Sequence, residues 1–296
     1  MELPLDLART LDAVVTAGSL DAAAAALSIT PSAVSQRLKS LETRVGRVLL
    51  VRSKPVQPTA AGLALVRLSR QLSALEQDTL AALGLSDAGP VEVPLAVNAD
   101  SLATWFLPAL APLAGGIAFD LHRDDQDYTA GLLESGTVTA AVTSQHSPVA
   151  GCSVRPLGAM RYLAVATPSF RAAWFSESDG PASGPGLSHA PLVDFDRRDD
   201  LQTRYLTALD VDPRLPPRHH VPASNDFATA VLLGMGWGML PEHQAESALA
   251  DGRLVPLGGP ALDVQLYWQR WKLTSDLLSR IEDAVVRHAR ASLRQA

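Results

Sequence analysis

The chain has 296 residues, 47% hydrophobic and 19% charged. That is enough for two or three domains, without the charge excess and apolar poverty that keep a chain unfolded. Its net charge of −6 speaks against an evenly basic nucleic-acid protein, and its single cysteine, Cys152, excludes an internal disulfide framework or a multi-cysteine metal site. An acidic start, Met1-Glu2-Leu3-Pro4-Leu5-Asp6, and the lack of an apolar run of about 18 residues lead us to expect a cytoplasmic protein without signal peptide or membrane span.

The charge is unevenly distributed. Within residues 1–60, Arg9, Arg37, Lys39, Arg44, Arg47, Arg52 and Lys54 outnumber Glu2, Asp6, Asp12, Asp21 and Glu42, whereas the remainder is acidic. A locally basic head on an acidic body suits a DNA-binding unit joined to a separate sensing unit.

Leu7, Leu11, Val14 and Val15 recur at helical spacing and Gly18 follows as a stop, which predicts the first helix. Ser19 can cap a short second helix whose stripe is Leu20, Ala23, Ala24 and Leu27. Thr30 then stands as a cap, with Pro31 at the first helical position where its missing N–H costs nothing. In this third helix Val34, Leu38, Leu41 and Val45 share one face, while Ser32, Ser35, Gln36, Lys39 and Thr43 share the opposite one. The pattern from about Leu20 to Lys39 is a helix-turn-helix, and Val48–Val51 followed by the basic turn Arg52-Ser53-Lys54-Pro55 reads as a wing.

A major groove about 12 Å wide admits a helix, and short polar side chains, amides and methyl groups read base edges within it. Gln36 suits adenine, Ser32 and Ser35 can reach bases or phosphates, and the Ala33 methyl can touch thymine. Lys39, Arg52 and Lys54 are expected to hold phosphates, and Arg37 completes the set of expected DNA contacts. Residues 1–58 thus form the expected DNA-binding domain. Thr59 can cap a linker helix over 59–84, in which Leu65, Leu68, Leu72 and Leu75 follow the seam of a two-helix coiled coil and predict dimerisation.

Residues 85–90 read as a hinge. Beyond them strand-like runs (91–97, 117–122, 138–143, 162–167, 254–257, 264–268) alternate with helical stretches (102–113, 128–135, 201–209, 227–233, 242–250, 276–293), an α/β signature over residues 91–296. Such length invites two lobes, one of about 91–161 and 268–296 and the other of about 162–267. Residues 176–188, rich in Gly, Ser and Pro, read as an exposed loop. The expected fold class is therefore a multidomain α+β chain, a winged helix-turn-helix and long helix followed by a two-lobed α/β unit.

These residues carry a resemblance. Gly18-Ser19-Leu20, the alanine run from Ala22 to Ala26 with Leu27, Thr30 through Glu42, the wing Leu49-Leu50-Val51-Arg52 and Thr59-Ala60-Ala61-Gly62 resemble the head of the LysR-type transcriptional regulators. Asn98 to Phe106, Pro148 to Cys152, Gly234 to Pro241 and Tyr267 to Trp271 are similar to the ArgP/LysG subgroup. The resemblance implies a periplasmic-binding-protein-like effector domain with a ligand between its lobes and no cofactor. It also implies a homodimer paired again into a tetramer, promoter DNA as partner with RNA polymerase a further candidate, and activation of a lysine or arginine exporter gene in response to L-lysine or L-arginine.

A basic amino acid needs donors for its carboxylate, acceptors for its ammonium, and carboxylates for its cationic side chain. Asn98, Asp100 and Ser101, following the first body strand and opening a helix, are candidates for the carboxylate, which the Ser101 hydroxyl and neighbouring backbone N–H groups can meet at a helix N-terminus, or they form a helix cap and nothing more. With that resemblance Asp125, and after it Asp124, are the candidates for the side-chain cation, although Asp124-Asp125-Gln126-Asp127 alone reads first as a solvated acidic turn. Thr143 and Ser144, and Ser224, Asn225 and Asp226, are further candidates, while Trp105 and Trp237 read as core or cleft wall. Adjacent His219 and His220 would point to opposite faces of a strand, which argues against a metal site, and the lack of a Gly-x-Ser-x-Gly elbow or phosphate loop argues against an enzyme. Rival readings are a regulator with another effector, a solute-binding module, and an architectural or origin-binding DNA protein that ignores amino acids.

Overall fold

The protein, studied as a computed structural model, is described over residues 3–51, 53–85, 90–123, 129–175 and 184–295. The head forms as its local signals require. Helix α1 (Leu5–Ala17) ends at Gly18, which adopts the left-handed conformation at φ 71°. The Ser19 hydroxyl accepts the Ala22 N–H and starts α2 (Leu20–Ala26), and the Thr30 hydroxyl accepts the Ala33 N–H and starts α3 (Pro31–Val45) with Pro31 in the first turn. The wing is an antiparallel pair, β1 (Leu50–Val51) and β2 (Gln57–Pro58), joined through the basic turn. Leu7, Leu11, Val14, Ala23, Ala24, Val34, Leu38 and Leu41 bury against one another, so three short helices share one core.

Helix α4 (Ala60–Ala82) lies along α1. Leu65 and Val66 belong to the head's own core, so the first leucine of the expected seam packs within its own chain. Leu68, Leu72 and Leu75 remain half-buried. Ion pairs fasten the two helices, Arg70 Nε to Asp12 Oδ1 at 2.7 Å and Arg9 Nη2 to Glu76 Oε2 at 2.7 Å. On another face of α4, Arg67 reaches into the body, its Nη2 lying 3.6 Å from Cys152 Sγ.

The body is built on a mixed sheet. In chain order it comprises β3 (Val91–Val97), α5 (Ala99–Ser101), a π turn (Leu102–Phe106), α6 (Leu107–Leu110), a 3-10 turn (Ala111–Leu113), β4 (Ile117–Arg123), α7 (Thr129–Glu134), β5 (Ala140–Thr143) and β6 (Cys152–Ala166). There follow α8 (Pro168–Trp174), α9 (Gly184–Leu187), β7 (Leu192–Asp194), α10 (Leu201–Ala208), β8 (Arg218–His220), α11 (Ser224–Leu232), β9 (Gly238–Pro241), α12 (Glu242–Ala250), β10 (Val255–Pro256), β11 (Leu262–Trp271) and α13 (Asp276–Ser292). The sheet runs β10-β6-β11-β5-β3-β4 with β9 also on β6, while β7 and β8 pair in parallel apart from it. The parallel strands β3, β4 and β5 mark one lobe, and β7 to β10 the other.

Strands β6 and β11 pass through both lobes. Where they pair, Leu266 faces Gly158 but Tyr267 faces Pro156, so Leu157 is skipped in a β-bulge that bends the sheet. The main core is likewise shared: Trp105, Phe106, Trp268 and Ile281 are contiguous with Phe170, Tyr205, Trp237 and Leu257. The expected strand over 162–167 is only the second half of β6, because Pro156 and Gly158 interrupt the sequence pattern of the first half while its ladder to β11 continues across them. The short strands β7, β8 and β9 and the helix α8 lay outside the expected elements, although Thr167-Pro168 repeats the cap-and-proline start of α3. Of the expected loop over 176–188, residues 176–183 lie outside the described residues. Its last part is α9, whose Leu187 is buried.

Candidate functional site

Two surfaces follow from this scaffold. On the head, burying Val34, Leu38 and Leu41 of α3 turns the opposite face outward, and Ser32, Ser35, Gln36 and Lys39 are exposed there. Ala33 is half-buried, and Arg37 is half-buried with Nη1 donating to Thr10 Oγ1 of α1 at 3.4 Å, which ties it to the head's interior. Lys54 is exposed in the wing turn, while Arg52 lies outside the described residues. A convex helix face flanked by an exposed cationic turn has the shape a major groove accepts.

The second surface is a cleft of about 470 Å³ between the lobes. Its walls include Asn98, Ala99 and Asp100 after β3, Arg123 at the end of β4 and Ser144 after β5. The facing lobe contributes Phe195, Asp196, Arg198, Asp199, Asp200, Leu201 and Arg204 after β7. These positions follow the carboxyl ends of strands, where open α/β sheets place their ligands. The Asn98 side chain caps α5, its oxygen accepting the Ser101 N–H at 3.1 Å, and its buried Nδ2 has no partner among the described residues.

Asp100 receives a hydrogen bond from the Tyr162 hydroxyl at 2.7 Å. Burial raises its carboxyl above the ordinary range, partly offset by hydrogen bonds from Ser224 and Tyr162. Asp199 accepts the backbone N–H groups of Phe195 and Leu201, each at 3.1 Å, on its two oxygens. Desolvation nonetheless pushes it up to about 6, and the charges of Asp194 and Asp100 add to the shift. Tyr162 is raised well above its ordinary value by burial and then by Asp100. At the ends of β7 and β8 Arg218 Nη1 pairs with the buried Asp194 at 2.5 Å.

The expected ligand residues are distributed unequally. Asn98 and Asp100 line the cleft, and the buried Ser224 meets Asp100 from the start of α11. Ser101 is fully buried, and its hydroxyl has no partner among the described residues. Thr143 is buried at the end of β5, its hydroxyl accepting the Gln145 N–H. Asn225 and Asp226 are exposed on α11 and do not line the cleft, and Asn225 accepts from Gln244. Asp124 and Asp125 lie outside the described residues. Trp105 and Trp237 are buried in the core. Asp199 and its neighbours were not among the expected residues, although the run Asp194 to Asp200 between an apolar triplet and a helix is the kind of strand-end segment that builds such walls.

Residues 5–63 match the family described as bacterial regulatory helix-turn-helix protein, lysR family, and residues 93–290 match the LysR substrate binding domain. The chain belongs to the LysR family of transcriptional regulators. Within that family it falls in the LysG/ArgP group. It is 44% identical over 289 residues to the lysine export transcriptional regulatory protein LysG of Corynebacterium efficiens, covering 96% of this chain and 97% of that one. Its fold is similar to the crystal structure of ArgP from Mycobacterium tuberculosis, with TM-score 0.89, 44% identity and 98% of each chain covered. It is also similar to full-length LysG from Corynebacterium glutamicum solved with bound effector Arg, with TM-score 0.82, 40% identity, and 99% of this chain and 100% of that one covered. This LysR-family regulator thus carries its exposed α3 face in the helix-turn-helix unit and its cleft in the substrate binding domain.

Proposed function

We propose that this regulator senses a basic amino acid, L-lysine or L-arginine, in the interlobe cleft and thereby controls an amino-acid exporter gene. The observation that carries the reading is the cleft's charge arrangement. Asp100 and Asp199 approach from opposite lobes in a desolvated setting that a bound cation relieves, and the exposed Arg123 on the same walls suits a carboxylate, while Arg198 and Arg204 pair with Asp196 and Asp200. The bound Arg of the Corynebacterium glutamicum relative and the lysine-export name of the Corynebacterium efficiens relative support it.

On the DNA side, Gln36, Ser32 and Ser35 read base edges while Lys39 and the wing, with Lys54 and Arg52, hold phosphates. Residues 1–58 serve as the DNA-binding head and α4 as the linker that pairs two chains through Leu68, Leu72 and Leu75, with pairs joining into a tetramer. The effector acts by population shift, binding one arrangement of the lobes more tightly than another and so changing how paired heads sit on a promoter.

Footprinting on the intergenic region beside the protein's own gene, with lysine, arginine, histidine and a neutral amino acid, tests the whole reading. A footprint that changes with lysine or arginine and not with the neutral control is expected. One unchanged by every amino acid would favour an architectural DNA protein and sink the sensing role.

A further inference from the structure

Strand β6 pairs with β11 along one edge, and from Tyr162 to Val165 its other edge pairs with β9 of the lobe that holds β7 to β10. Just before that stretch the same edge is taken by the residues that follow α13, a helix packed on α6 and the π turn of the opposite lobe. The Ala159 N–H donates to the Arg294 carbonyl at 2.8 Å and the Arg294 N–H to the Ala159 carbonyl at 2.9 Å, an antiparallel bridge one residue long. Gly158, at φ +122°, leaves room for it, since a Cβ there would stand 2.7 Å from the Arg294 carbonyl oxygen. On one side of the bridge Leu293 is buried in the main core. On the other, Gln295 Nε2 donates at 3.2 Å to the carbonyl of Leu157, the residue skipped in the bulge.

Residues 293–295 therefore lie along the bend of the sheet, and polar side chains continue from there into the second lobe. Arg294 Nη2 stands 2.8 and 2.9 Å from the two carboxylate oxygens of Glu242, the first residue of α12, and His243 Nε2 donates to the Ser292 carbonyl. Arg161 and Asp263, paired at 2.8 and 2.7 Å across β6 and β11, lie within reach of this network's charges and neutralise one another. A pocket of about 310 Å³ at the junction is lined by Thr104, Arg161, Pro241, Glu242, His243 and Arg294. The pocket leaves the lobes joined at this edge by ionic and hydrogen-bonding pairs instead of close-packed side chains. Such pairs can part without opening a core.

We propose that residues 293–295 form a strap across the hinge, latched by Arg294 to Glu242, which holds the two lobes at one opening and so sets effector affinity from outside the cleft. The strap is a property of the fold alone, while its effect on affinity rests on the basic-amino-acid reading above. With the latch released the lobes populate further arrangements, and apparent affinity falls in proportion to the fraction of the original one that is lost. Both latch side chains are about half exposed, so the pair adds little to global stability and its effect is separable from unfolding.

Cys152 is the single cysteine and is buried, so cysteines introduced at the exposed Asp283 of α13 and Glu246 of α12 take spin labels selectively. Double electron-electron resonance on the full-length protein, diluted with unlabelled protein, then reads the lobe-to-lobe distance without any ligand. The Asp283→Cys/Glu246→Cys parent should give one narrow distance. Adding Glu242→Arg, which sets like charges against Arg294, should broaden it, and adding Arg294→Glu as well should restore the narrow distribution. By calorimetry without labels, Glu242→Arg should weaken L-arginine by about threefold or more, and the charge-swapped double variant should recover most of that loss.

Identical distance distributions in the parent and the Glu242→Arg variant would overturn the strap. So would a charge swap that stays as broad as the single change, because the effect would then not belong to the pair. Broadened distances with unchanged arginine affinity would overturn its control of binding. Wild-type protein that binds neither arginine nor lysine overturns the basic-amino-acid reading instead, and the strap is then decided by the distances alone.

Discussion

Asp199 is held near the point of titration by its surroundings, and that makes its charge a function of pH in the physiological range. Its carboxyl stands at about 6, raised by desolvation and by the charges of Asp194 and Asp100 against the help of two backbone N–H groups. Tyr162 adds a neutral hydroxyl nearby, and Arg123, Arg198 and Arg204 stand on the same cleft walls. A carboxyl raised in the folded state favours folding in its protonated form, so this contribution is present at low pH and lost as pH rises through about 6. A cationic effector that binds the carboxylate, as proposed, has the opposite preference. Arginine affinity should therefore fall several-fold between pH 7.5 and pH 5. Calorimetry across that interval checks it, and Asp199→Asn should flatten the curve; a pH-independent wild type would contradict this account. Asp100 was legible as a candidate because it opens a helix after a strand. Asp199 was not, because nothing local distinguishes it from Asp196 or Asp200 until the lobes fold together.

At the scale of elements, the head shows how far local signals reach. Ser19, Thr30, Pro31 and Gly18 bound its helices by backbone chemistry alone, and each boundary was readable from the chain. Thr30→Ala removes the hydroxyl that accepts the Ala33 N–H and should cost about 1 kcal/mol, measured by thermal or urea unfolding. In the proposed reading the exposed face of α3 and the wing divide their labour. Gln36→Ala should lose about 1–3 kcal/mol of discrimination at one base pair, while Lys54→Ala should weaken all sites alike and reduce the salt slope by about 1. Competition titrations over a salt series separate the two, and identical behaviour would contradict the division of roles. In the body, β6 shows the limit of such signals. Its Pro156 and Gly158 read as a break, yet β11 holds the strand through them with a single bulge.

At the scale of the molecule, α4 joins head to body through a close contact. Gly136 has φ +73°, and a Cβ there would stand 3.0 Å from Arg67 Cα; one at Gly151 would stand 3.0 Å from Arg67 Nη2. Burial pushes the adjacent Cys152 thiol up, against the pull of the Arg67 guanidinium. Gly136→Ala should cost roughly 1–3 kcal/mol from its backbone conformation. It should also blunt the effector-dependent change in footprint while leaving arginine affinity intact, and a full response would show that this contact does not carry the signal. In the proposed dimer the half-buried leucines of α4 form the seam. Leu72→Glu should shift the protein toward monomer in sedimentation velocity and weaken operator binding, since a charge at a paired seam is desolvated without a partner.

The chain by itself determined its helix-turn-helix, its linker helix and the alternating order of the body, because caps, proline and glycine positions and apolar periodicity act within a few residues. Its resemblance to a family of regulators was legible for the same reason, in contiguous runs. The cleft was decided by tertiary structure. Asp100, Tyr162, Asp199 and Ser224 are separated by tens of residues, and only the passage of β6 and β11 through both lobes brings them to one cleft. Their desolvation and mutual repulsion, the properties that suit them to a cation, come into being with that packing.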